Sequence, residues 1–182
     1  MRVIAGEFRS RVLKSLPGHD TRPTPDRLRE TLFNILASRV EDTVFVDAYA
    51  GTGAVGIEAL SRGARRAIFI ERSRSAIGVI RDNLATLGLV ARSEVFSAKT
   101  SSVLERLEWD IAFIDPPYER ETEYGVAMDQ LGLRPRGLAI AQHPSRLELK
   151  PKYGNLRRYR VVKQGDNSLS FYDGCEPERP EI

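Results

Sequence analysis

The sequence has too few thiol and imidazole side chains to build most metal centres. Of its 182 residues, one is a cysteine and two are histidines. The single cysteine, Cys175, cannot form an internal disulfide, and protein zinc sites usually need several cysteines or histidines. No partner side chain is evident that would turn Cys175 into a nucleophile. We therefore expect no metal site and no cysteine-based catalysis.

Long apolar runs are also lacking. No segment approaches the roughly 20 apolar residues that a helix needs to cross a bilayer, and no apolar signal segment opens the chain. Hydrophobic residues make up 41% of the chain and charged residues 29%, which is ordinary for a globular domain. We expect a cytoplasmic monomer without a membrane partner. Its single domain would span residues 1–175, including an N-terminal extension (1–20), and a disordered acidic tail would follow at 176–182.

Neither sign of charge is in large excess, but the basic residues are unevenly distributed along the chain. The chain carries 28 basic and 25 acidic residues, for a net charge of +3. Basic residues crowd the first thirty positions, and such clusters bind RNA phosphates. A second basic cluster, between residues 150 and 163, is equally well explained as a solvated surface. We predict RNA contacts for the first cluster, which comprises Arg2, Arg9, Arg11, Lys14, Arg22, Arg27 and Arg29.

Predicted strands alternate with predicted helices along the chain. Such alternation favours a parallel sheet with helices on both faces. We expect an α/β fold with a seven-stranded, mostly parallel sheet, a closing antiparallel hairpin, and a small N-terminal β-hairpin at 2–14 followed by an extended loop at 19–25. The predicted strands are 44–47, 67–71, 92–96, 110–114, 137–142, 156–163 and 167–172. One predicted helix begins at Asp26, and the other helices cover 54–62, 74–87, 101–107 and 123–131.

A glycine-rich turn follows the first predicted strand. Val44–Asp47 leads into Gly51, Gly53 and Gly56, which have the spacing of a nucleotide-binding turn between a strand and a helix. Glycine permits the tight turn and lets a ligand approach the backbone. The next strand ends in Glu71, about 20 residues after Gly51, where such folds place an acid that binds a ribose.

The tetrapeptide Asp115-Pro116-Pro117-Tyr118 follows the apolar segment 111–114. These residues suit the binding of a planar amine. The acid and the Pro116 carbonyl can each accept a hydrogen bond from an NH2 group, and the prolines stiffen the turn. Tyr118 offers a ring on which a base can stack. Taken alone, the tetrapeptide is equally typical of a turn that ends a strand.

The two motifs together distinguish between cofactors. A nicotinamide dinucleotide accounts for the glycines and Glu71 but leaves Asp47 and Asp115 unexplained. S-adenosylmethionine accounts for all of them, because its ammonium group requires an acid near the glycine turn and its ribose requires an acid such as Glu71. Its methyl group must also face an acceptor held at the end of a later strand. We therefore predict S-adenosylmethionine as the cofactor.

Three segments resemble the RsmD family of class I methyltransferases, whose members carry an Asp-Pro-Pro-Tyr type motif. They are Arg22–Leu36, Ala50–Ala64 and the tetrapeptide, and the resemblance extends over about residues 1–172. It implies a Rossmann-like class I methyltransferase fold. It also implies methyl transfer to the exocyclic N2 of a guanine in 16S ribosomal RNA, presented as RNA or as a small-subunit particle.

The motifs and the resemblance together give an expected site. The residues that would act on the amine are Asp115, Pro116, Pro117 and Tyr118. The residues that would bind the cofactor are Asp47, Tyr49, Gly51, Thr52, Gly53, Glu71, Ser97 and Ala98. The chain departs from the family pattern twice. Ser97-Ala98 stands where many relatives have an acid near the adenine, and Gln142-His143 stands where many have a glutamate; we expect His143 to be structural.

Other functions fit part of the pattern. A DNA adenine-N6 methyltransferase uses the same tetrapeptide on another amine, although no separate segment for reading a DNA groove is evident. An NAD-dependent oxidoreductase or a non-catalytic RNA-binding module could share the fold.

Overall fold

The computed structural model describes residues 1–16, 26–134 and 137–174. Arg22, the predicted loop at 19–25, Cys175 and the predicted tail at 176–182 lie outside these ranges. Within the described ranges, no helix is both long and apolar enough to span a membrane. The same residues contain no group of three or more side chains placed to hold a metal ion.

Helices flank a central mixed sheet. The strands are β1 Val44–Asp47, β2 Arg66–Glu71, β3 Ser93–Ser97, β4 Ile111–Ile114, β5 Leu138–Pro144, β6 Lys152–Tyr153, β7 Leu156–Gln164 and β8 Asn167–Gly174. The helices are α1 Asp26–Leu36, α2 Ala54–Ser61, α3 Arg74–Thr86, α4 Thr100–Val103 and α5 Glu121–Leu133. Short 3-10 turns occupy 37–40, 90–92 and 104–106.

The strand order places a reversal at the middle of the sheet. The order is β3-β2-β1-β4-β5-β8-β7-β6. The first five strands pair in parallel, and β8, β7 and β6 add antiparallel pairs. The chain moves outward in one direction from β1 to β3 and in the other from β4 to β6, before β7 and β8 return toward β5. In such sheets ligands bind outside the carboxyl ends of the strands at this reversal.

The prediction of seven strands was wrong by one. The additional strand, β6, is two residues long and pairs with the start of β7. A pair of residues is too short to show an alternating or apolar pattern, so β6 could not be predicted from the sequence. The predicted helix at 101–107 is likewise divided into α4 and the 3-10 turn at 104–106.

The central strands are buried on both faces, which explains their continuous apolar sequences. Phe45 of β1 and Phe113 of β4 pack toward α1 and α2. Their neighbours along these strands, Val46 and Ala112, pack toward α5 on the opposite face. The rigid sheet therefore fixes where each strand ends.

The N-terminal segment forms a smaller hairpin than predicted. An isolated antiparallel bridge joins Arg2 and Val12, and the Val3 N–H donates to the Arg11 carbonyl at 3.0 Å. The intervening turn binds the C-terminal end of α2, where the Glu7 N–H donates to the Ser61 carbonyl at 2.8 Å. The turn backbone therefore bonds to a helix instead of extending the strand ladder.

Arg29 does not belong to the basic surface. Its side chain is fully buried beneath the N-terminal segment. One of its amino groups donates to the Arg2 carbonyl at 2.6 Å and to Asp26 at 3.0 Å, and Nε lies 3.9 Å from a carboxylate oxygen of the buried Glu58. Burial lowers the pKa of Arg29, and the two carboxylates oppose that shift. The prediction that Arg29 contacts RNA was wrong, because the residue lies on the buried face of α1.

Candidate active site at the carboxyl ends of the strands

Three acids from separate parts of the chain open into one cavity. Asp47 ends β1, Glu71 ends β2 and Asp115 directly follows β4. All three line a cavity of about 1070 Å³ at the reversal in strand order. Ligand pockets in proteins commonly measure roughly 300–1000 Å³, so the cavity can hold a nucleoside and part of a second molecule.

The glycine turn forms one wall of this cavity. Gly51 has a φ of 55°, in the left-handed region that favours glycine. A Cβ added to Gly51 would meet nothing within 4 Å, so the backbone faces open space. Gly53 precedes α2 in the same left-handed region and does not line the cavity. A Cβ at Gly56 would lie 2.3 Å from the Phe69 ring, so this glycine allows α2 to pack closely on β2.

Asp47 is buried at the base of the cavity. Its side chain accepts a hydrogen bond of 3.0 Å from the Gly56 N–H at the start of α2. Burial raises the pKa of Asp47 to about 7; the Gly56 hydrogen bond opposes the shift and the charge of Glu71 adds to it. Near neutral pH the carboxyl group is therefore divided between its protonated and ionised forms.

Glu71 is held by backbone groups on both sides. One carboxylate oxygen accepts from the N–H groups of Arg72 and Ser73, each at 2.8 Å. The other accepts from the Gly51 N–H at 2.9 Å. These bonds fix the carboxylate beside the glycine turn. A carboxylate offers about four lone-pair sites, so acceptor capacity remains for a hydroxyl group in the cavity.

Tyr49 and the start of α4 form the opposite wall. The Thr100 hydroxyl donates to the Ala48 carbonyl at 2.5 Å, which ties α4 to the end of β1. Tyr49 is half-buried beside Thr100 and Glu123. Burial raises the pKa of Tyr49 well above its ordinary value, and the charge of Glu123 adds to the shift. The phenol therefore stays neutral.

The tetrapeptide borders the mouth of the same cavity. Asp115, Pro116, Pro117 and Tyr118 all line it. The Arg120 N–H donates to the Pro117 carbonyl at 2.8 Å, which closes the turn that leads into α5. The Tyr118 hydroxyl donates to the side-chain oxygen of Asn167 at the start of β8. This bond joins the half-buried ring at the cavity edge to a strand that is distant in sequence.

The cavity includes most of the predicted residues and several others. Thr52 and Ala98 line it, whereas Ser97 is exposed and Gly53 is buried behind the turn, and neither of these two contributes to the lining. Gln142 was not assigned to the site from the sequence, although it ends the predicted strand 137–142; in the structure β5 continues to Pro144. The other missed lining residues include Met1, Ser15, Leu16, Lys99, Thr100, Ser101, Phe113, Arg120 and Glu123.

The His143 side chain is buried and does not line the cavity. Its Nε2 lies 2.8 Å from the Ser170 hydroxyl, its Nδ1 lies 3.0 Å from the Pro144 carbonyl, and its ring meets the edge of Tyr124. Burial lowers the pKa of His143. These contacts agree with the structural role expected from the sequence.

The predicted RNA-binding residues that the structure describes do not line the cavity. Arg9 and Arg11 are exposed on the turn beside the C-terminal end of α2. The cavity lies at the N-terminal end of this helix, roughly 12 Å away for eight residues of α-helix. Lys14 is nearer the cavity, next to Ser15, and pairs with Asp82 at 2.9 Å. Arg2 and Arg27 are also exposed.

Comparison with known proteins identifies the family. A family described as "Conserved hypothetical protein 95" matches residues 1–173. The Bacillus subtilis "Putative rRNA methyltransferase YlbH" is 32% identical over 180 residues, which cover 94% of this chain and 98% of that protein. The Escherichia coli K12 "Ribosomal RNA small subunit methyltransferase D" is 41% identical over 122 residues, which cover 66% of this chain and 61% of that protein. The chain belongs to the RsmD family of methyltransferases.

Solved structures agree with this family. The "Putative methyltransferase yhhF" from Escherichia coli superposes with a TM-score of 0.80 at 32% identity, covering 96% of this chain and 97% of that one. An RNA methyltransferase from Salinibacter ruber, solved with S-adenosyl-L-homocysteine, has a TM-score of 0.66 at 16% identity and covers 88% of this chain and 99% of that one. The fold is therefore the Rossmann-like class I methyltransferase fold, with eight strands in its sheet.

Proposed function

We propose that this RsmD-family chain transfers a methyl group from S-adenosylmethionine to the exocyclic N2 of a guanine in 16S ribosomal RNA. The observation that carries the proposal is the opening of Asp115 and Tyr118 into the cavity that Asp47 and Glu71 also line. The acids that suit a methyl donor and the groups that suit a planar amine thus share one space. The names of the relatives support ribosomal RNA as the substrate.

The cavity residues fit S-adenosylmethionine. The buried Asp47 carboxyl would accept the ammonium group, and Glu71 would accept the ribose hydroxyls beside the open backbone of Gly51. Tyr49, Thr52 and Ala98 would form the walls around the nucleoside. When bound, the cofactor supplies an electrophilic sulfonium methyl group, so the protein needs no metal or covalent intermediate for this transfer.

The tetrapeptide would orient the acceptor. The lone pair of a guanine N2 amine is delocalised into the ring, so the amine is a weak nucleophile. Hydrogen bonds to Asp115 and to the Pro116 carbonyl would direct the amine and stabilise the positive charge that develops on it. Tyr118, tethered to Asn167, would stack on the base. Positioning of this kind supplies much of the rate enhancement in a two-substrate reaction.

A ribosomal RNA substrate would place the protein in the cytoplasm. The target base must leave its helix or lie in an exposed loop to reach the cavity. The exposed Arg2, Arg9, Arg11, Lys14 and Arg27 would then contact phosphates of flanking RNA.

Methylation of ribosomal particles tests the proposal. Particles from cells that lack this protein are incubated with it and with labelled S-adenosylmethionine, and the modified nucleotide is mapped. We expect N2-methylguanine at one position of 16S RNA. The Asp115→Ala variant should bind the cofactor normally and transfer no label. Label on an adenine N6, on DNA or on no nucleic acid would contradict the proposal.

A further inference from the structure

Gln142 is a buried polar side chain without an assigned role, and it lines the cavity. It is only 3% exposed, and it is among the residues that border the space shared by Asp115 and Tyr118. Among residues 1–16, 26–134 and 137–174, no donor hydrogen-bonds to its side-chain oxygen. A buried acceptor without a partner costs free energy, so a ligand group in the cavity is the natural source of the missing donor.

The sheet register places Gln142 beside Asp115. Ile114 of β4 pairs with Ala141 of β5 in a parallel register, so the next step along both strands sets Asp115 next to Gln142. Side chains alternate between faces along a strand, and Phe113 and Ile140, two residues earlier, pack on the same face. The two polar groups therefore stand on one face of the sheet, about 4.8 Å apart in strand spacing.

This spacing matches the edge of a guanine. Along its Watson–Crick edge a guanine presents the N2 amine, then the N1–H donor, then the O6 acceptor. With the amine on Asp115, a neighbouring amide can accept from N1–H and donate to O6. An adenine bound by its N6 amine would present the N1 acceptor there and no donor. The unpartnered oxygen of Gln142 therefore favours guanine.

We propose that Gln142 is a specificity-determining residue that reads the N1–H and O6 groups of the target guanine; this rests on the proposed function. A paired contact of this kind between an amide side chain and a base edge discriminates against the wrong base by roughly 10- to 100-fold.

The test compares two RNA substrates that differ only at the target nucleotide, which is either guanosine or 2-aminopurine riboside. 2-Aminopurine keeps the 2-amine and lacks both N1–H and O6. We expect the wild-type protein to methylate the guanosine RNA about 10-fold or more faster in kcat/KM. In Gln142→Leu this preference should fall to near unity, through slower reaction of guanosine only.

Gln164→Leu provides the matched control. Gln164 ends β7, its side-chain oxygen is also buried without a hydrogen-bond partner in the described chain, and it does not line the cavity. This variant should keep the wild-type preference. The fluorescence of 2-aminopurine, which rises when the base leaves its stack, should rise equally with all three proteins. This readout separates base entry from base reading.

An unchanged preference in Gln142→Leu would overturn the inference and leave the proposed function intact. If Gln142→Leu fails to fold, Gln142→Met takes its place, because it keeps the length of the side chain and loses both the acceptor for N1–H and the donor to O6; it too should lose the preference, and retention would overturn the inference. Methylation of neither RNA by the wild-type protein would overturn the proposed function together with the inference.

Discussion

At the scale of single residues, we expect the protonation of Asp47 to couple cofactor binding to pH. In the free protein burial raises its pKa from 3.8 to about 7, so the carboxyl group is largely protonated at pH 6. A bound ammonium group would favour the carboxylate. Binding at pH 6 should therefore release close to one proton, and the affinity for S-adenosylmethionine should fall by about tenfold for each pH unit below 7.

Calorimetric titrations at pH 6 and pH 8, each in two buffers with different ionisation heats, measure this release. Asp47→Asn should bind weakly with little dependence on pH and without proton release. Binding of the wild-type protein that is independent of both pH and buffer would show that the cofactor does not contact Asp47. The free energy of unfolding of the free protein depends on pH in the opposite direction. It falls as pH rises from about 4 toward 7, because Asp47 ionises at a lower pH in the unfolded chain than in the folded protein.

The tether of Tyr118 gives a second prediction at this scale. Tyr118→Ala removes the stacking ring, worth about 1–3 kcal/mol, and should lower kcat/KM by roughly 5- to 150-fold. Tyr118→Phe keeps the ring and loses the hydrogen bond to Asn167, worth about 1 kcal/mol or roughly fivefold. Asn167→Ala should match Tyr118→Phe, and the double variant should be no worse than either. Additive losses in single-turnover rates would mean that the two side chains act independently.

At the scale of elements, the contact between α2 and β2 depends on position 56 being a glycine. An added Cβ at Gly56 would lie 2.3 Å from the Phe69 ring, so Gly56→Ala must displace the helix or the ring. Such overpacking costs about 1–3 kcal/mol. The matched control is Gly78→Ala on the exposed face of α3, where an added Cβ meets nothing within 4 Å. It should stabilise the protein by about 0.5–1 kcal/mol, because alanine favours a helix.

Urea denaturation gives both free energies of unfolding. Equal stability of Gly56→Ala and the wild-type protein would show that the close packing of α2 is not required. A shift of the glycine turn would also weaken cofactor binding in the variant that folds, since Gly51 and Gly56 bond to the two acids that we assign to the cofactor.

Elements with a continuous apolar pattern could be predicted, and elements defined by tertiary contacts could not. β1, β2 and β4 are buried on both faces, so their sequences mark them and the acids at their ends. β6 has two residues and exists because β7 pairs with it. The N-terminal turn bonds to Ser61 of α2, a partner that local sequence does not indicate. Arg29 looks like a surface cation in sequence, yet α1 turns it toward Glu58.

At the scale of the whole molecule, the basic N-terminal segment should govern the salt dependence of RNA binding. Neutralising Arg9 and Arg11 to glutamine should lower the affinity. Each lost phosphate contact should also reduce the slope of log affinity against log salt by about 0.7–0.9. Arg106→Gln with Arg134→Gln is the control, since both arginines are exposed near α4 and α5, on the other face of the sheet. Filter binding over a salt series measures the slopes; equal slopes for both double variants would place the RNA surface elsewhere.

The convergence of the site was predictable because topology brings the carboxyl ends of parallel strands together. The positions of the strands were enough to predict that Asp47, Glu71 and Asp115 meet. They were not enough for Thr100 and Gln142. The place of Thr100 depends on its hydrogen bond to the Ala48 carbonyl, and that of Gln142 depends on the register between β4 and β5. Ser97 was assigned from the resemblance to the RsmD family, but its side chain is exposed outside the cavity.

A crystal structure of this protein with bound S-adenosylhomocysteine would show whether the three acids share one ligand site. We expect its amino group to lie at Asp47, its ribose hydroxyls to lie at Glu71 and its sulfur to face Asp115 across the cavity. Density for the ligand outside this cavity, or a sulfur turned away from Asp115, would contradict this expectation.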